Sequence, residues 1–380
     1  MKILVNSIST KKHSGGAYQI AYNFLLKTQE HNEVDWVYVV SSDLDEILPA
    51  SIKESQDYYV FPTQPDYLHT YAKVRKELKE LEHRIVPDVV YSITSPSYFT
   101  FDTVEVMRFT MPWVTHPNKY SWSVLSFNER VRMRLYCWNQ RRLLRKARFF
   151  ITQTETTRQG IIRITGTAPE NVKVVNNVLP SVFLKIDDTP LSTDGKWVNI
   201  ACVGNPSAHK NFSIIPYVLD ALRDYGIANV RFHVTIPENS PRWVQIQKTM
   251  RVLGLTDGIV NYGRVSQLQL ANLYRQCQLC FLPTLLEVFS ASTVEAMYFH
   301  LPIVATDFDF NREVMADSCL YYEPQNAKAA AYQIKKYIEN VALCDEMRQK
   351  MKRRLSCFCD YDKHFNDIVD FLETVSKKAL

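Results

Sequence analysis

The sequence predicts an α/β protein of two successive units, each a parallel sheet covered by helices on both faces. Apolar runs of strand length alternate with segments of helical spacing, a pattern that favours this architecture. The alternation lapses between Leu179 and Lys196, where polar and chain-breaking residues predominate, and then restarts. The length of 380 residues suffices for two domains with hydrophobic cores of their own.

Each element before the lapse follows from its apolar pattern. Helical spacing predicts helices over Ala17–Lys27 and Tyr71–Arg84, and an arginine-rich helix begins near Asn128. The predicted strands of this half are Ile3–Ile8, Val34–Val40, Tyr58–Phe61, Val89–Ile93, Val104–Thr110, Phe149–Thr152 and Val172–Val175.

The same patterns predict the elements after the lapse. The strands are Trp197–Val203, Val230–Thr235, Cys280–Pro283 and Ile303–Thr306. The helices are Phe212–Tyr225, Pro241–Leu253, one from Ser266 with a capping-box start, Ser292–Phe299, Ala327–Asn340 and Asp362–Lys377. We therefore expect a first domain over residues 1–182, a linker over 183–196 and a second domain over 197–359.

The net charge of +5 comes from one short stretch of the chain. Between Asn128 and Phe150, seven arginines and one lysine stand against one acid, so this stretch carries +7. The apolar residues interleaved with them are Leu135, Tyr136, Trp138, Leu143 and Leu144. Contact of Arg130–Arg148 with an anionic membrane surface and a solvated helix face both fit this pattern. We expect no nucleic acid partner, because no recognition motif accompanies the charge.

The ends and the cysteines of the sequence bear on its compartment. The amino terminus turns polar at Asn6 without a cleavage site, and no stretch approaches the 18 apolar residues of a membrane span. The eight cysteines are dispersed, which is typical of reduced thiols. These features predict a cytoplasmic protein, and the arginine-rich helix suggests a peripheral place on the inner face of the cell membrane.

Glycine spacing argues against two nucleotide-binding motifs. No two glycines are separated by one residue, as the dinucleotide fingerprint requires. The pair at P-loop spacing, Gly258 and Gly263, is followed by Arg264 instead of lysine. Cys277 and Cys280 have the spacing of half a zinc site, but no second pair matches them, so we expect them to pack in the core.

The segment Pro283–Met297 connects a predicted buried strand to a helix, at the end of the strand where α/β sheets bind ligands. Its acids Glu287 and Glu295 lie eight residues apart, and Ser292 opens the predicted helix. Amides of the first helical turn can bind an anion such as a diphosphate, with Glu295 accepting from a ribose hydroxyl. Ser292 and Glu295 also match a capping box that merely closes the helix end, and the local sequence favours neither interpretation.

This segment resembles the E-x7-E motif of the retaining glycosyltransferases of family four, the GT-B group. Further similar segments follow in the family's order: Gly15-Gly16, Asn176-Asn177-Val178, Val203-Gly204-Asn205 through His209-Lys210-Asn211, Leu273-Tyr274-Arg275, Cys280–Thr284 and Leu301–Asp307. The resemblance spans nearly the whole chain. It implies the GT-B fold, in which two Rossmann-like β/α/β domains face each other across a cleft and a C-terminal helix, here 360–380, crosses back to the first domain.

The resemblance also implies roles for individual residues. The catalytic residues would be Glu287 at the donor sugar, Lys210 at the leaving diphosphate and His116 near the sugar, although Met111-Pro112-Trp113 fits the place of His116 equally well. The donor-binding residues would be Gly15, Gly16, Gly204, Asn205, Asn211, Ser292, Thr293 and Glu295. The resemblance implies no metal and no cofactor, because a lysine and a helix terminus can take the charge of the leaving group.

Four positions differ from the family pattern. Asn205 stands in place of an arginine, Val288 and Ser290 in place of two glycines, and His300 in place of the glycine after the motif helix. Side chains at these positions would reshape the donor pocket.

The implied function is transfer of a sugar, with retention of configuration, from a nucleotide-sugar donor to a glycan or lipid-linked glycan acceptor. The resemblance implies that the donor binds the second domain and the acceptor the first. Cell-surface polysaccharide or lipopolysaccharide biosynthesis is the expected setting. The alternatives are a nucleotide-sugar epimerase on the same fold and a non-catalytic assembly subunit.

Overall fold

The computed structural model describes residues 1–12, 16–63, 70–180, 182–193 and 195–379. The chain divides into two compact units: unit 1 contains Met1–Thr115, Arg132–Asn176 and Asp362–Leu380, and unit 2 contains His116–Val131 and Asn177–Tyr361. Residues 116–131 and 177–182, which we expected in the first domain, thus belong to unit 2.

Unit 1 contains a sheet of parallel strands. In the described residues these are β1 (Lys2–Ser7), β2 (Asp35–Ser41), β3 (Tyr58–Phe61), β4 (Val89–Ser92), β5 (Glu105–Arg108), β6 (Phe149–Thr152) and β7 (Val172–Val174). They pair in the order β3-β2-β1-β4-β5-β6-β7. The predicted strands of this half are confirmed to within two residues at each end, because strands covered on both faces are continuous apolar runs.

Unit 2 repeats this architecture. Its described strands are β8 (Val198–Cys202), β9 (Val230–Val234), β10 (Ile259–Asn261), β11 (Leu279–Leu282), β12 (Ile303–Thr306) and β13 (Leu320–Tyr322). They are parallel and lie in the order β10-β9-β8-β11-β12-β13. We did not predict β10 and β13, which are three-residue strands at the two edges and too short to show a period.

Helices connect and cover the strands. In the described residues they are α1 (Gly16–Lys27), α2 (Ser42–Asp45), α3 (Ala50–Lys53), α4 (Tyr71–Ile85), α5 (Pro112–Thr115), α6 (Lys119–Ser123), α7 (Phe127–Leu144), α8 (Glu155–Thr165), α9 (Ile215–Asp224), α10 (Pro241–Leu253), α11 (Gln267–Arg275), α12 (Ala291–Tyr298), α13 (Asp309–Met315), α14 (Ala327–Glu339), α15 (Val341–Leu355) and α16 (Tyr361–Ala379). Among these described helices, none is long and apolar enough to cross a membrane.

The helices depart from the expectation in two ways. The arginine-rich helix α7 ends at Leu144, so the cations from Arg145 to Arg148 follow it instead of lying on it. Helices α8, α13 and α15 and the short helices α2, α3, α5 and α6 were not predicted. Helix α15 was missed because no glycine or proline separates it from α14. Asn340 divides the two helices: it adopts an extended conformation, and its side chain accepts a hydrogen bond from the Leu343 amide at 2.9 Å.

The predicted linker, 183–196, and the residues just before it are part of unit 2. Leu179 and Phe183 are buried in the hydrophobic core of that unit. The Leu179 amide donates to the Phe358 carbonyl at 2.8 Å, which fixes this segment to the end of the unit. Periodicity is missing here because the segment packs as irregular structure, through single apolar side chains instead of a helix face or a strand.

The last helix, α16, contributes to the core of unit 1. Phe365, Ile368 and Leu372 are buried against β1 and α1, where Ile3 and Phe24 lie in the same cluster. The Phe24 and Phe365 rings lie 4.9 Å apart between centroids. Unit 1 is therefore completed by residues nearly 200 positions beyond the strand β7.

We predict that Gly160→Ala destabilises unit 1. A Cβ at Gly160 in α8 would lie 2.5 Å from the Cβ of Thr115 and 3.0 Å from its carbonyl oxygen, so backbone would have to move. We expect a loss of roughly 1–3 kcal/mol in the free energy of unfolding, measured by chemical denaturation. The exposed neighbour Gln159→Ala is the control and should change it by less than about 0.5 kcal/mol. Equal effects of the two substitutions would contradict the close approach.

Candidate functional site

The candidate site lies on the loop between β11 and α12 in unit 2. Leu285 and Leu286 of this loop are fully buried. Irregular backbone that is buried must find hydrogen-bond partners within the protein. The partners come from separate segments, as donor to acceptor: Leu285 N to His209 O at 2.7 Å, Thr306 Oγ1 to Thr284 O at 2.6 Å, Asn118 Nδ2 to Leu285 O at 2.7 Å, and His116 Nε2 to Glu287 O at 2.7 Å. These bonds fix the backbone that carries Glu287.

Lys210 and Glu287 form an ion pair in this loop region. Their side chains are 16% and 17% exposed, so the pair is largely desolvated and still reachable from solvent. Two residues predicted from separate motifs, 77 positions apart, are thus brought together. When a polar bond breaks, negative charge develops on one atom and positive charge on the other. A cation and a carboxylate side by side can stabilise these two charges.

The turn after β8 positions Lys210. Gly204 has a φ of 153°, which disfavours other residues, and its missing side chain leaves the backbone beside the Lys210 methylenes. A short 3-10 turn, Ala208–Lys210, ends at Asn211 in the left-handed conformation, with a φ of 56°. Asparagine tolerates this conformation better than most residues, which explains its place after the lysine.

The charge of Lys210 keeps Glu287 ionised. Burial by itself would raise the pKa of Glu287, but the charge of Lys210 and its hydrogen bond bring that pKa below its ordinary value. The neighbouring His209 behaves differently. Burial lowers its pKa to about 4, with a smaller contribution from Lys210, so it is neutral near pH 7.

Glu295 is in a different electrostatic state. It is 7% exposed, and its Oε2 accepts a hydrogen bond from the Tyr274 hydroxyl at 2.8 Å. Burial raises the pKa of Glu295 to about 7, against the opposing effects of Tyr274 and Lys210. The two acids of the predicted motif therefore differ at neutral pH, where Glu287 is charged and Glu295 is divided between its two forms.

The start of α12 corrects one prediction. The helix begins at Ala291 after the N-cap Ser290, one residue earlier than expected. Ser292 and Glu295 do not form a capping box, because the Ser292 hydroxyl donates to the Val203 carbonyl at 3.5 Å and Glu295 contacts Tyr274. The Thr293 amide, predicted to bind a diphosphate, donates to the Ser290 carbonyl at 3.1 Å. The capping interpretation is wrong.

His116 belongs to unit 2 and contacts the backbone of Glu287. A carbonyl oxygen can only accept, so the Nε2 atom of His116 carries a proton. In this arrangement the ring positions the Glu287 loop, and Nε2 is not free to act as a base. The side chain of Asn118 reaches the same loop at Leu285 and also caps α6.

The other predicted donor-binding residues lie in different places. Asn205 is exposed in the turn after β8, and its Oδ1 accepts from the Ser207 amide at 3.1 Å, which shapes the turn that leads to Lys210. Asn211 is 6% exposed at the end of the same turn. Gly16 lies in unit 1 at the first residue of α1. Gly15 lies outside the described residues.

The side chains that replace family glycines are accommodated. Val288 is buried in the core of unit 2, and Ser290 is the extended N-cap of α12, so neither occupies the left-handed region. His300 does, with a φ of 57°, directly after the α12 segment. Its ring contacts the Asp188 carboxylate at 3.0 Å, and its carbonyl accepts from Arg348. Only the glycine after the helix is thus replaced at some conformational cost.

Cys277 and Cys280 are buried free thiols in the core of unit 2, which confirms their predicted packing role. Burial raises the pKa of both thiols. In the part of the chain that the structure describes, no group of three or more His, Cys, Asp or Glu side chains is arranged to hold a metal ion.

Sequence reasoning missed the residues that support the site. Tyr274 and His209 were noted only within segments that resemble the family, and Asn118 was given no role. The signal for Tyr274 was its hydroxyl, since a buried tyrosine normally needs a hydrogen-bond partner. No local pattern identifies Asn118, whose acceptor is 167 residues away.

Solved structures resemble the whole chain. HepE from Anabaena, in complex with UDP and glucose, matches with a TM-score of 0.71 and 17% identity over 98% of this chain and 100% of its own. The chain has the GT-B fold. Sucrose-phosphate synthase from Thermosynechococcus elongatus matches with a TM-score of 0.72 and 14% identity over 98% of each chain. The lipopolysaccharide outer core galactosyltransferase WaaB, in its apo form, matches with a TM-score of 0.66 and 13% identity over 98% of this chain and 99% of its own.

The match by sequence covers a smaller part of the chain than the structural matches do. Residues 190–354 match the family model described as glycosyl transferases group 1. This range contains Lys210, Tyr274, Glu287 and Glu295, four residues of the candidate site. No curated protein matches the chain.

We predict that Glu295→Gln stabilises the protein at alkaline pH. The pKa of Glu295 is raised from its ordinary range to about 7 in the folded state, so stability falls as the pH rises through this window and the buried carboxyl loses its proton. Glutamine keeps an acceptor for Tyr274 without the charge. The melting temperature should rise by about 2–6 °C at pH 8 and by much less at pH 5.

Glu287→Gln is the control, and we expect it to change the melting temperature at pH 8 in the opposite direction. Because Lys210 lowers the pKa of Glu287, that carboxylate stabilises the fold at pH 8, and its removal should lower the melting temperature there. A gain for Glu295→Gln that is the same at both pH values would contradict the raised pKa.

Proposed function

We propose that the protein is a retaining glycosyltransferase that moves a sugar from a nucleoside-diphosphate sugar to a hydroxyl of a glycan or lipid-linked glycan. The observation that carries the proposal is the Lys210–Glu287 ion pair on the loop before α12, inside the range that matches the glycosyltransferase family model. HepE, which has a similar structure, was obtained with UDP and glucose, so a uridine nucleotide is the first donor to test.

The proposed chemistry takes place at the anomeric carbon. The bond from this carbon to the diphosphate oxygen breaks, and a bond to the acceptor oxygen forms on the same face of the sugar. The acceptor proton passes to the departing phosphate oxygen. Lys210 and the first turn of α12 stabilise the negative charge of the leaving diphosphate, and the ionised Glu287 stabilises positive charge at the carbon. No metal ion has a role in this proposal.

Binding of the donor would redistribute the charges of the site. In the structure, Lys210 is paired with Glu287. A diphosphate competes with that carboxylate for the lysine, and the Glu287 charge then faces the sugar instead. Glu295, held by Tyr274, would accept from the ribose hydroxyls, which needs a small movement because the carboxyl is 7% exposed. The hydroxyls of a bound ribose would give the buried carboxyl hydrogen bonds that water does not supply there.

The deciding experiment is a thermal-shift screen with a panel of nucleotide sugars, followed by calorimetry with UDP and GDP. Binding of one of them and formation of a glycosylated acceptor support the proposal. Conversion of the donor sugar without any acceptor identifies an epimerase. Failure to bind either nucleotide at millimolar concentration identifies a non-catalytic subunit and refutes the proposal.

The setting we propose is surface-glycan synthesis on the cytoplasmic side of the membrane.

Lys210→Ala should lower turnover by about two to four orders of magnitude, because it removes the cation at the leaving diphosphate. The rate of product formation with the donor found in the screen is the measurement. Lys248→Ala, an exposed lysine of α10, is the control and should leave the rate within twofold of the unchanged protein. An unchanged rate for Lys210→Ala would remove Lys210 from the mechanism.

Glu287→Gln should separate binding from catalysis. The substitution releases Lys210 from its carboxylate and removes a negative charge near the diphosphate, so affinity for the nucleoside diphosphate should rise by about tenfold. Turnover should fall, because the charge at the anomeric carbon is lost. Calorimetry and initial rates measure the two effects, and weaker nucleotide binding would show that Glu287 does not compete for Lys210.

Glu295→Ala, by contrast, should weaken nucleotide binding.

A further inference from the structure

The outward face of α7 carries large apolar side chains at helical spacing. Phe127 is 78% exposed, Val131 43%, Leu135 65% and Trp138 64%. These positions follow the intervals i, i+4, i+8 and i+11, so they fall within about 80° of the helix circumference. They form a continuous line about 16 Å long, which we call the apolar stripe.

The other side of the same helix is buried. Cys137 is 5% exposed, Gln140 1% and Leu144 0%. The Cys137 thiol donates to the Trp113 carbonyl at 3.4 Å, and the Gln140 amide donates to the Tyr98 hydroxyl at 2.9 Å. The apolar stripe lies opposite this packed face. Leu144, one of the apolar residues interleaved with the arginines in the sequence, belongs to the packed face and not to the stripe.

Arginines border the apolar stripe. By the helical period, Arg132 lies on one side of it, Arg134 lies on the other, and Arg142 continues it toward the carboxyl end. The guanidinium of Arg141 is held against the protein, where it donates to the Val114 carbonyl. Arg132 and Arg142 are exposed. Glu129, the acid of this stretch, is occupied by the Ser126 amide at 2.8 Å. The surface is therefore apolar along its centre and cationic along its borders.

We propose that this face of α7 docks the protein on a bilayer that contains anionic lipids. The stripe enters the boundary between headgroups and acyl chains, and the arginines extend along it to bind lipid phosphates. A tryptophan in the stripe suits this boundary, where an aromatic ring meets both water and hydrocarbon. The docking uses no residue of the candidate site and needs no nucleotide.

The charges argue against two other occupants. A second copy of the chain would bring its arginines against those of the first in a symmetric pair, which is unfavourable. A nucleic acid would satisfy the arginines, but it would leave Phe127, Leu135 and Trp138 against a charged phosphate backbone. An anionic bilayer complements both the cationic borders and the apolar centre.

The test is sedimentation of the full chain with vesicles of phosphatidylcholine alone or with about 30% phosphatidylglycerol. We expect binding to the anionic vesicles that weakens with added salt. Leu135→Ser combined with Trp138→Ser should lower the partition constant at least tenfold. Arg132→Gln should lower it about fivefold, since each cation near an anionic surface contributes about that factor.

A matched control alters two exposed apolar side chains elsewhere on the protein. Val252→Ser combined with Leu268→Ser removes two exposed apolar side chains of unit 2, 78% and 61% exposed, and should leave vesicle binding unchanged. Circular dichroism and nucleotide binding should be the same for all variants, which keeps this test separate from the proposed enzymatic function.

Several outcomes would overturn the proposal. They are absence of binding to anionic vesicles, equal binding by the stripe variant, and equal loss with the unit 2 control. Binding of duplex DNA that the arginine variant abolishes, without vesicle binding, would assign the surface to nucleic acid. A dimer that the stripe variant dissociates would assign it to a second copy.

Discussion

The ion pair between Lys210 and Glu287 is the interaction on which the candidate site depends. A carboxylate that is 17% exposed stays ionised only if a cation compensates for the lost solvation, and Lys210 supplies that charge. The surrounding structure positions both members of the ion pair. Gly204 and Asn211 shape the turn that carries the lysine, and bonds to loop carbonyls hold the backbone of Glu287.

The two acids of the motif have separate physical roles because their environments differ. Glu287 faces a cation and is charged at neutral pH, as a group that stabilises positive charge must be. Glu295 faces the hydroxyl of Tyr274 and has a pKa of about 7, so it accepts or donates a proton easily near neutrality. A hydrogen-bonding partner of a sugar hydroxyl needs no fixed charge, which fits the role proposed for Glu295.

Each unit is assembled from segments that are distant in the sequence. Unit 1 needs the distant helix α16, whose Phe365 and Leu372 complete the core over β1. Unit 2 takes in the irregular segment after Asn177 and the short segment from His116 to Val131. That short segment brings His116 and Asn118 to the loop of Glu287, so the site is built from three separate stretches of one unit.

The sequence by itself determined the alternating parallel architecture and the core strands, and its similarity to a family motif singled out Lys210, Glu287 and Glu295. Buried strands and amphipathic helices have local periods, and these survive in any tertiary context. The short edge strands and the division at Asn340 were missed because three residues or one capping residue leave no period to read.

Tertiary structure alone decided which groups meet. The choice between a capping box and a buried acid at Glu295 depended on Tyr274, 21 residues away, because a side chain follows the strongest partner within its reach. The ionisation of Glu287 depended on a lysine 77 residues away, since a pKa reflects neighbours in space. Which face of α7 is exposed was likewise settled by what packs against Cys137 and Leu144, and no helical pattern in the arginine-rich sequence contains that information.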